Sequence, residues 1–152
     1  MKTYSIKTND ALAEAVAEIY SVLCTRAKNG SAVVVGLSGD LGTGKTTLVQ
    51  TLARQMGVVE TVTSPTFTIM KRYTVVPPPF HSLVHIDAYR LESPDELVVL
   101  GFPELVAEEG TLLCVEWPER VSRLMPEHTV MLTLALRGED DRTLILSYAE
   151  NH

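Results

Sequence analysis

Gly39-Asp40-Leu41-Gly42-Thr43-Gly44-Lys45-Thr46 fits G-x-x-x-x-G-K-[ST] at each fixed position. The chemistry that this Walker A spacing serves is the binding of a nucleotide's phosphates. A phosphate cradle turns backbone N–H groups into one concavity, so side chains must be missing where the chain turns and where oxygen atoms approach. Gly39, Gly42 and Gly44 meet that demand. Lys45 supplies a compact positive charge with reach to the β and γ phosphates, and the Thr46 hydroxyl is placed to ligate a magnesium ion bridging them.

Hydrolysis of a magnesium nucleotide further requires a carboxylate on the metal's water shell and a group that orients the attacking water. Two apolar runs end in carboxylates: Leu83-Val84-His85-Ile86-Asp87 and Thr111-Leu112-Leu113-Cys114-Val115-Glu116. Ligands of open α/β sheets bind at the carboxyl edge of the strands, where both acids would lie. Asp87 reads either as a functional carboxylate or as a helix cap or partner of nearby Arg90. Glu116 has less local reason to be acidic and is the second candidate for the metal shell. In Ser64-Pro65-Thr66-Phe67, Thr66 stands about 20 residues beyond the phosphate loop, where a switch segment senses the γ phosphate, or else it is an ordinary turn threonine. His81, His85, His128 and His152 show no metal spacing, no serine sits in a G-x-S-x-G turn, and all four histidines read as non-catalytic. Without an Asn-Lys-x-Asp segment to select guanine, adenine is the base left by elimination.

The elements that position these groups follow from periodicity. Ser31 to Leu37 is a β-branched apolar run suited to a buried parallel strand, and Lys45 to Met56 reads as a helix aimed at the phosphates and stopped by Gly57. Before them come a strand over Thr3 to Lys7 and a helix capped around Thr8 to Asp10 that runs to about Ala27, with Leu12, Val16, Ile19 and Leu23 on its buried face. Thr68 to Val75 alternates as a strand, with Phe67, Ile69, Lys71 and Tyr73 on one side. Pro77-Pro78-Pro79 reads as an exposed connection, Ser93-Pro94-Asp95-Glu96 as a capped helix start, and Phe102 to Glu109 as a further short helix. Pro118 to Leu124 forms a turn or two of helix. Thr129 to Leu136 and Thr143 to Tyr148 alternate as strands joined by a turn at Gly138-Glu139-Asp140-Asp141. The expected architecture is α/β, a three-layer P-loop NTPase-like sheet with helices on both faces and a C-terminal β-hairpin.

A chain of 152 residues has room for one domain, 1–152, with a proper core. Hydrophobic residues make up 45% and charged ones 21%, and no apolar run approaches the ~20 residues of a membrane span, so no membrane role and a cytoplasmic location are expected. Cys24 and Cys114 fall in apolar stretches and read as buried, reduced thiols. The formal net charge of −6 argues against a chain that grips nucleic acid by itself.

Four segments in this order, Gly39 to Thr47, Ser64-Pro65-Thr66-Phe67-Thr68, His85-Ile86-Asp87-Ala88-Tyr89-Arg90-Leu91 and Val115-Glu116-Trp117-Pro118-Glu119, resemble the TsaE (YjeE-type) ATPases. The resemblance implies a bacterial, magnesium-dependent ATPase that assists the transfer step making threonylcarbamoyladenosine at position 37 of tRNA. It implies action on a TsaB-TsaD heterodimer, with tRNA engaged only indirectly, and Mg2+ with ATP or ADP as the bound species. Carried over by motif, Gly39, Asp40, Leu41, Gly42, Thr43, Gly44, Lys45, Thr46 and Thr47 bind nucleotide, Thr46 and Glu116 hold the metal, and Thr66 belongs to a switch. Lys45, Asp87 and Glu116 are then the catalytic residues, and Trp117 marks the site. Thr43 stands where the family usually has alanine, and Ala88 replaces a larger apolar residue. Other classes that suit the phosphate loop are a small-molecule kinase, although no stretch clusters the arginines of a lid, and a non-hydrolysing nucleotide-dependent adaptor.

Overall fold

Strands covered on both faces need unbroken apolar runs, and three such runs form the centre of the fold. In the computed structural model, which describes residues 2–27, 29–65, 68–76, 78–137 and 143–150, these are β2 (Val33–Ser38), β4 (Ser82–Asp87) and β5 (Thr111–Glu116). With β1 (Lys2–Ile6), β3 (Met70–Thr74), β6 (Val130–Arg137) and β7 (Thr143–Glu150) they make one sheet of order β1-β7-β6-β2-β5-β4-β3. The central strands β6, β2, β5 and β4 run parallel, and the margins are antiparallel.

Side chains alternate across a strand, so each central strand feeds two cores. On one face Val33, Val35, Leu37, Leu83, Leu112 and Cys114 meet α1 (Asn9–Arg26) and α2 (Lys45–Gln55). On the other, Val34, Val84, Ile86, Leu113 and Val115 meet α3 (Pro94–Val99), α4 (Phe102–Val106) and a 3-10 segment, Pro118–Leu124. The three-layer α/β expectation therefore holds. Leu48 and Leu52 anchor α2 to the sheet, both buried, at about 1.5–3 kcal/mol each. Parity then assigns His85, Asp87 and Glu116 to the α2 face, alongside Leu83 and Cys114.

Cap chemistry holds as read. Thr8 Oγ1 accepts from Ala11 N at 3.1 Å, and Ser93 with Glu96 forms a reciprocal capping box at the start of α3. Three local readings are corrected. The strand expected from Thr68 begins only at Met70, because the N–H groups of Thr68 and Ile69 both close on the Pro65 carbonyl, at 3.1 and 2.6 Å. Ile69 adopts φ 68°, an uncommon conformation for a β-branched residue, and so leaves the face it was expected to share with Tyr73. The second correction is α4, which stops at Val106 rather than Glu109, and the third is Cys24, which is only half-buried. Thr66, Phe67, Pro77 and the turn at Gly138-Glu139-Asp140-Asp141 lie outside the described residues. Among the described residues no helix is long and apolar enough to cross a membrane.

Candidate active site

After Ser38 the chain leaves β2 through Gly39, at φ 152°. A Cβ there would stand 2.6 Å from the Leu134 carbonyl oxygen of β6 and 2.9 Å from Thr43 Oγ1, so only glycine lets the loop pass this close to the sheet. The loop then closes on itself: Thr43 N and Thr43 Oγ1 donate to the Asp40 carbonyl at 3.3 and 2.8 Å. Thr43 is thereby turned inward, away from the cleft.

α1 and α3 cover their first-turn amides with Thr8 and Ser93, whereas α2 starts on Gly44 in the left-handed region with no side-chain cap among the described residues. The helical ladder of α2 starts with Leu48 N donating to Gly44 O at 2.9 Å. The amides before it are left for an anion, aided by the helix dipole.

Lys45 is 5% exposed, and a buried ammonium must have its donors met. Its Nζ donates to the Gly39 carbonyl and to the Asp40 carbonyl, the latter at 3.1 Å, and lies 4.2 Å from the centroid of the Trp117 ring. Trp117 holds that position through φ 60° and an N–H donated to Leu37 O at 3.2 Å. Its ring also meets Tyr89 at 5.0 Å, with the Arg120 guanidinium 5.4 Å from the Tyr89 ring.

The carboxylates come from adjacent parallel strands, with Asp87 of β4 in register with Glu116 of β5. Asp87 Oδ1 accepts from Tyr89 N at 3.0 Å, and the Asp87 amide donates to the carbonyl of the left-handed Ile69 at 2.8 Å. Asp87 therefore closes a turn, not a helix, since the next helix starts at Pro94 under a Ser93 cap, and Asp87 also faces the cleft. Glu116 is 4% exposed; Thr46 Oγ1 donates to its Oε2 at 3.1 Å and lies 3.4 Å from Oε1. His85 Nε2 meets the same Oε2 at 2.5 Å. Beside them, burial pushes the Cys114 thiol up to about 12, with the Glu116 carboxylate adding to the effect.

These groups enclose a cleft of about 390 Å³. Leu41, Gly42, Gly44, Lys45, Thr46 and Thr47 line one side, while Ser64, Asp87, Tyr89, Arg90, Glu116 and Trp117 line the other. Gly39, Asp40 and Thr43 frame the loop instead of facing the cleft. Tyr89 and Arg90 line the cleft although no spacing in the sequence marks them as site residues, and His85, which reads from sequence as non-catalytic, touches Glu116. The signal for His85 was its setting: a polar residue between Val84 and Ile86 on a strand buried on both faces must find a partner.

Comparison with known proteins accords with this geometry. Residues 6–144 match the family model described as "Threonylcarbamoyl adenosine biosynthesis protein TsaE". The tRNA threonylcarbamoyladenosine biosynthesis protein TsaE of Bacillus subtilis (strain 168) is 37% identical over 120 residues, covering 78% of this chain and 71% of that protein. Its counterpart from Treponema pallidum (strain Nichols) is 39% identical over 124 residues, covering 79% and 84%. The crystal structure of YdiB from Bacillus subtilis superposes with a TM-score of 0.66 at 28% identity, over 99% of this chain and 87% of that one. A phosphate loop facing two strand-end carboxylates, and a family match over nearly the whole length, establish that the chain belongs to the TsaE family of tRNA threonylcarbamoyladenosine biosynthesis proteins.

Proposed function

We propose that the chain is a magnesium-dependent ATPase whose hydrolysis cycle serves a TsaB-TsaD complex in making threonylcarbamoyladenosine at position 37 of tRNA. The observation that carries this reading is the 3.1 Å contact between Thr46 Oγ1 and Glu116 Oε2 at the uncapped end of α2. The donor set suits magnesium. A threonine hydroxyl and a carboxylate are hard oxygen ligands, and among the described residues no group of three or more His, Cys, Asp or Glu forms a cage for a metal. That is the pattern for an ion that takes the rest of its shell from phosphates and water. When bound, magnesium neutralises charge developing on the β and γ phosphates.

The chain's own residues supply binding and orientation. The amides of the loop and first turn of α2 cradle the phosphates. Lys45 exchanges the Gly39 and Asp40 carbonyls for phosphate oxygens. Thr46 and Glu116 would hold the metal, and Asp87, one strand over, would accept a proton from water in the cleft while Tyr89 N–H fixes its Oδ1. With a formal net charge of −6, tRNA is reached through the partner and not gripped directly. The test is ATP turnover alone, with TsaB-TsaD and with tRNA. Weak activity that the partners stimulate is the expected result. Phosphate appearing on an added metabolite would indicate a kinase, and partner function intact in Glu116→Ala would indicate a non-hydrolysing adaptor.

A further inference from the structure

We propose that His85 is a positioning residue that fixes the Glu116 carboxylate for the magnesium nucleotide; this rests on the function proposed above. His85 is 0% exposed, midway along β4 and beneath α2, with Leu83, Leu112 and Cys114 of the same core face. That is a place for an aliphatic side chain, and an imidazole there is costly unless it is hydrogen-bonded.

Only one of its nitrogens is. Nε2 meets Glu116 Oε2, while Nδ1 has no partner among the described residues. A histidine kept to tie the fold together would bridge two groups, whereas this one is directed at a single oxygen. Because a carboxylate only accepts, Nε2 is the nitrogen that carries the proton in this contact.

The contact constrains the neighbour that matters. Oε2 takes donors from His85 behind and Thr46 in front, at 2.5 and 3.1 Å, so the carboxylate is pinned from two sides. Among the described residues Oε1 has the longer 3.4 Å approach of Thr46 alone, and it is the oxygen offered to the metal's water shell. Without His85, Glu116 regains side-chain rotamers that must be lost again when the metal arrives. Groups that orient a metal ligand in this way typically contribute 10–100-fold to metal affinity or activity.

The experiment compares His85→Leu, His85→Gln and His85→Asn with the wild-type chain. The readouts are the Mg2+ concentration that half-saturates ADP binding, followed by fluorescence of the sole tryptophan, Trp117, together with kcat for ATP and thermal stability. In His85→Leu the Mg2+ requirement should rise ~10-fold or more and kcat fall comparably, while metal-free ADP affinity stays within ~2-fold. Glutamine, whose amide nitrogen reaches as far as Nε2, should restore both to within ~3-fold, and the shorter asparagine should not. If His85→Leu fails to fold, the glutamine and asparagine pair decides by itself. A folded His85→Leu with wild-type Mg2+ requirement and kcat overturns the assignment, as does a glutamine variant no better than asparagine. Absence of any Mg2+-dependent binding by the wild-type chain overturns the proposed ATPase itself, and this inference with it.

Discussion

The phosphate loop and the carboxylate pair face one another across the cleft, and they are built in opposite ways. The loop is one continuous stretch that offers main-chain groups, framed by glycines and closed on the Asp40 carbonyl. The carboxylates are side chains brought together from β4 and β5, and the one at Glu116 is pinned by His85 and Thr46. Lys45 donates to the Gly39 and Asp40 carbonyls of the loop and lies over the Trp117 ring, so a phosphate must displace those two carbonyls. Glu116 already has its partners in place. Under the proposed function this difference separates two tasks: the loop would govern whether nucleotide binds, and the carboxylates what happens to it afterwards.

Substitutions that strike the loop should break binding first. Lys45→Ala is expected to reduce kcat/KM for ATP at least ~100-fold, about 2.7 kcal/mol, mostly through lost affinity, as steady-state kinetics beside ADP titrations will show. Gly39→Ala places a Cβ 2.6 Å from a backbone oxygen at a strained φ, and chemical denaturation should register a loss of about 2 kcal/mol. Gly42→Ala meets nothing within 4 Å and should cost only the left-handed penalty, about 1 kcal/mol. Trp117→Leu removes the aromatic face from Lys45 and should change stability by roughly 0.5–1 kcal/mol.

The smallest effect tests how well the carboxylate side is sealed. Cys114 is fully buried with its thiol raised to about 12, while Cys24 is half-buried. A thiol reagent at pH 8 should therefore label one cysteine in the native chain and the second only on unfolding. The sign for stability follows from the same shift. The folded thiol stays protonated where the unfolded one, near 9, ionises, so this stabilising contribution is present below about pH 9 and is lost as pH rises toward 12. A urea-denaturation series across that range checks it.

Local chemistry was legible in the residues themselves. The uninterrupted strand Thr111–Glu116 and the Ser93–Glu96 capping box are set by neighbours a few positions apart, and both occur where the sequence places them. What sequence could not convey was pairing at long range. Glu116 is 31 positions from His85, so no motif spacing announces their contact. Ile69 shows the same limit in the backbone. Alternation assigned it to a strand, but the turn closing on Pro65 prevailed, and its carbonyl became the acceptor for the Asp87 amide.

ADP affinity and ATP turnover in Glu116→Ala separate binding by the loop from hydrolysis supported by the carboxylates. Mg2+-free ADP affinity should stay within ~3-fold of wild type while turnover falls at least ~10-fold, about 1.4 kcal/mol. Hydrolysis by Glu116→Ala at the wild-type rate would contradict that separation.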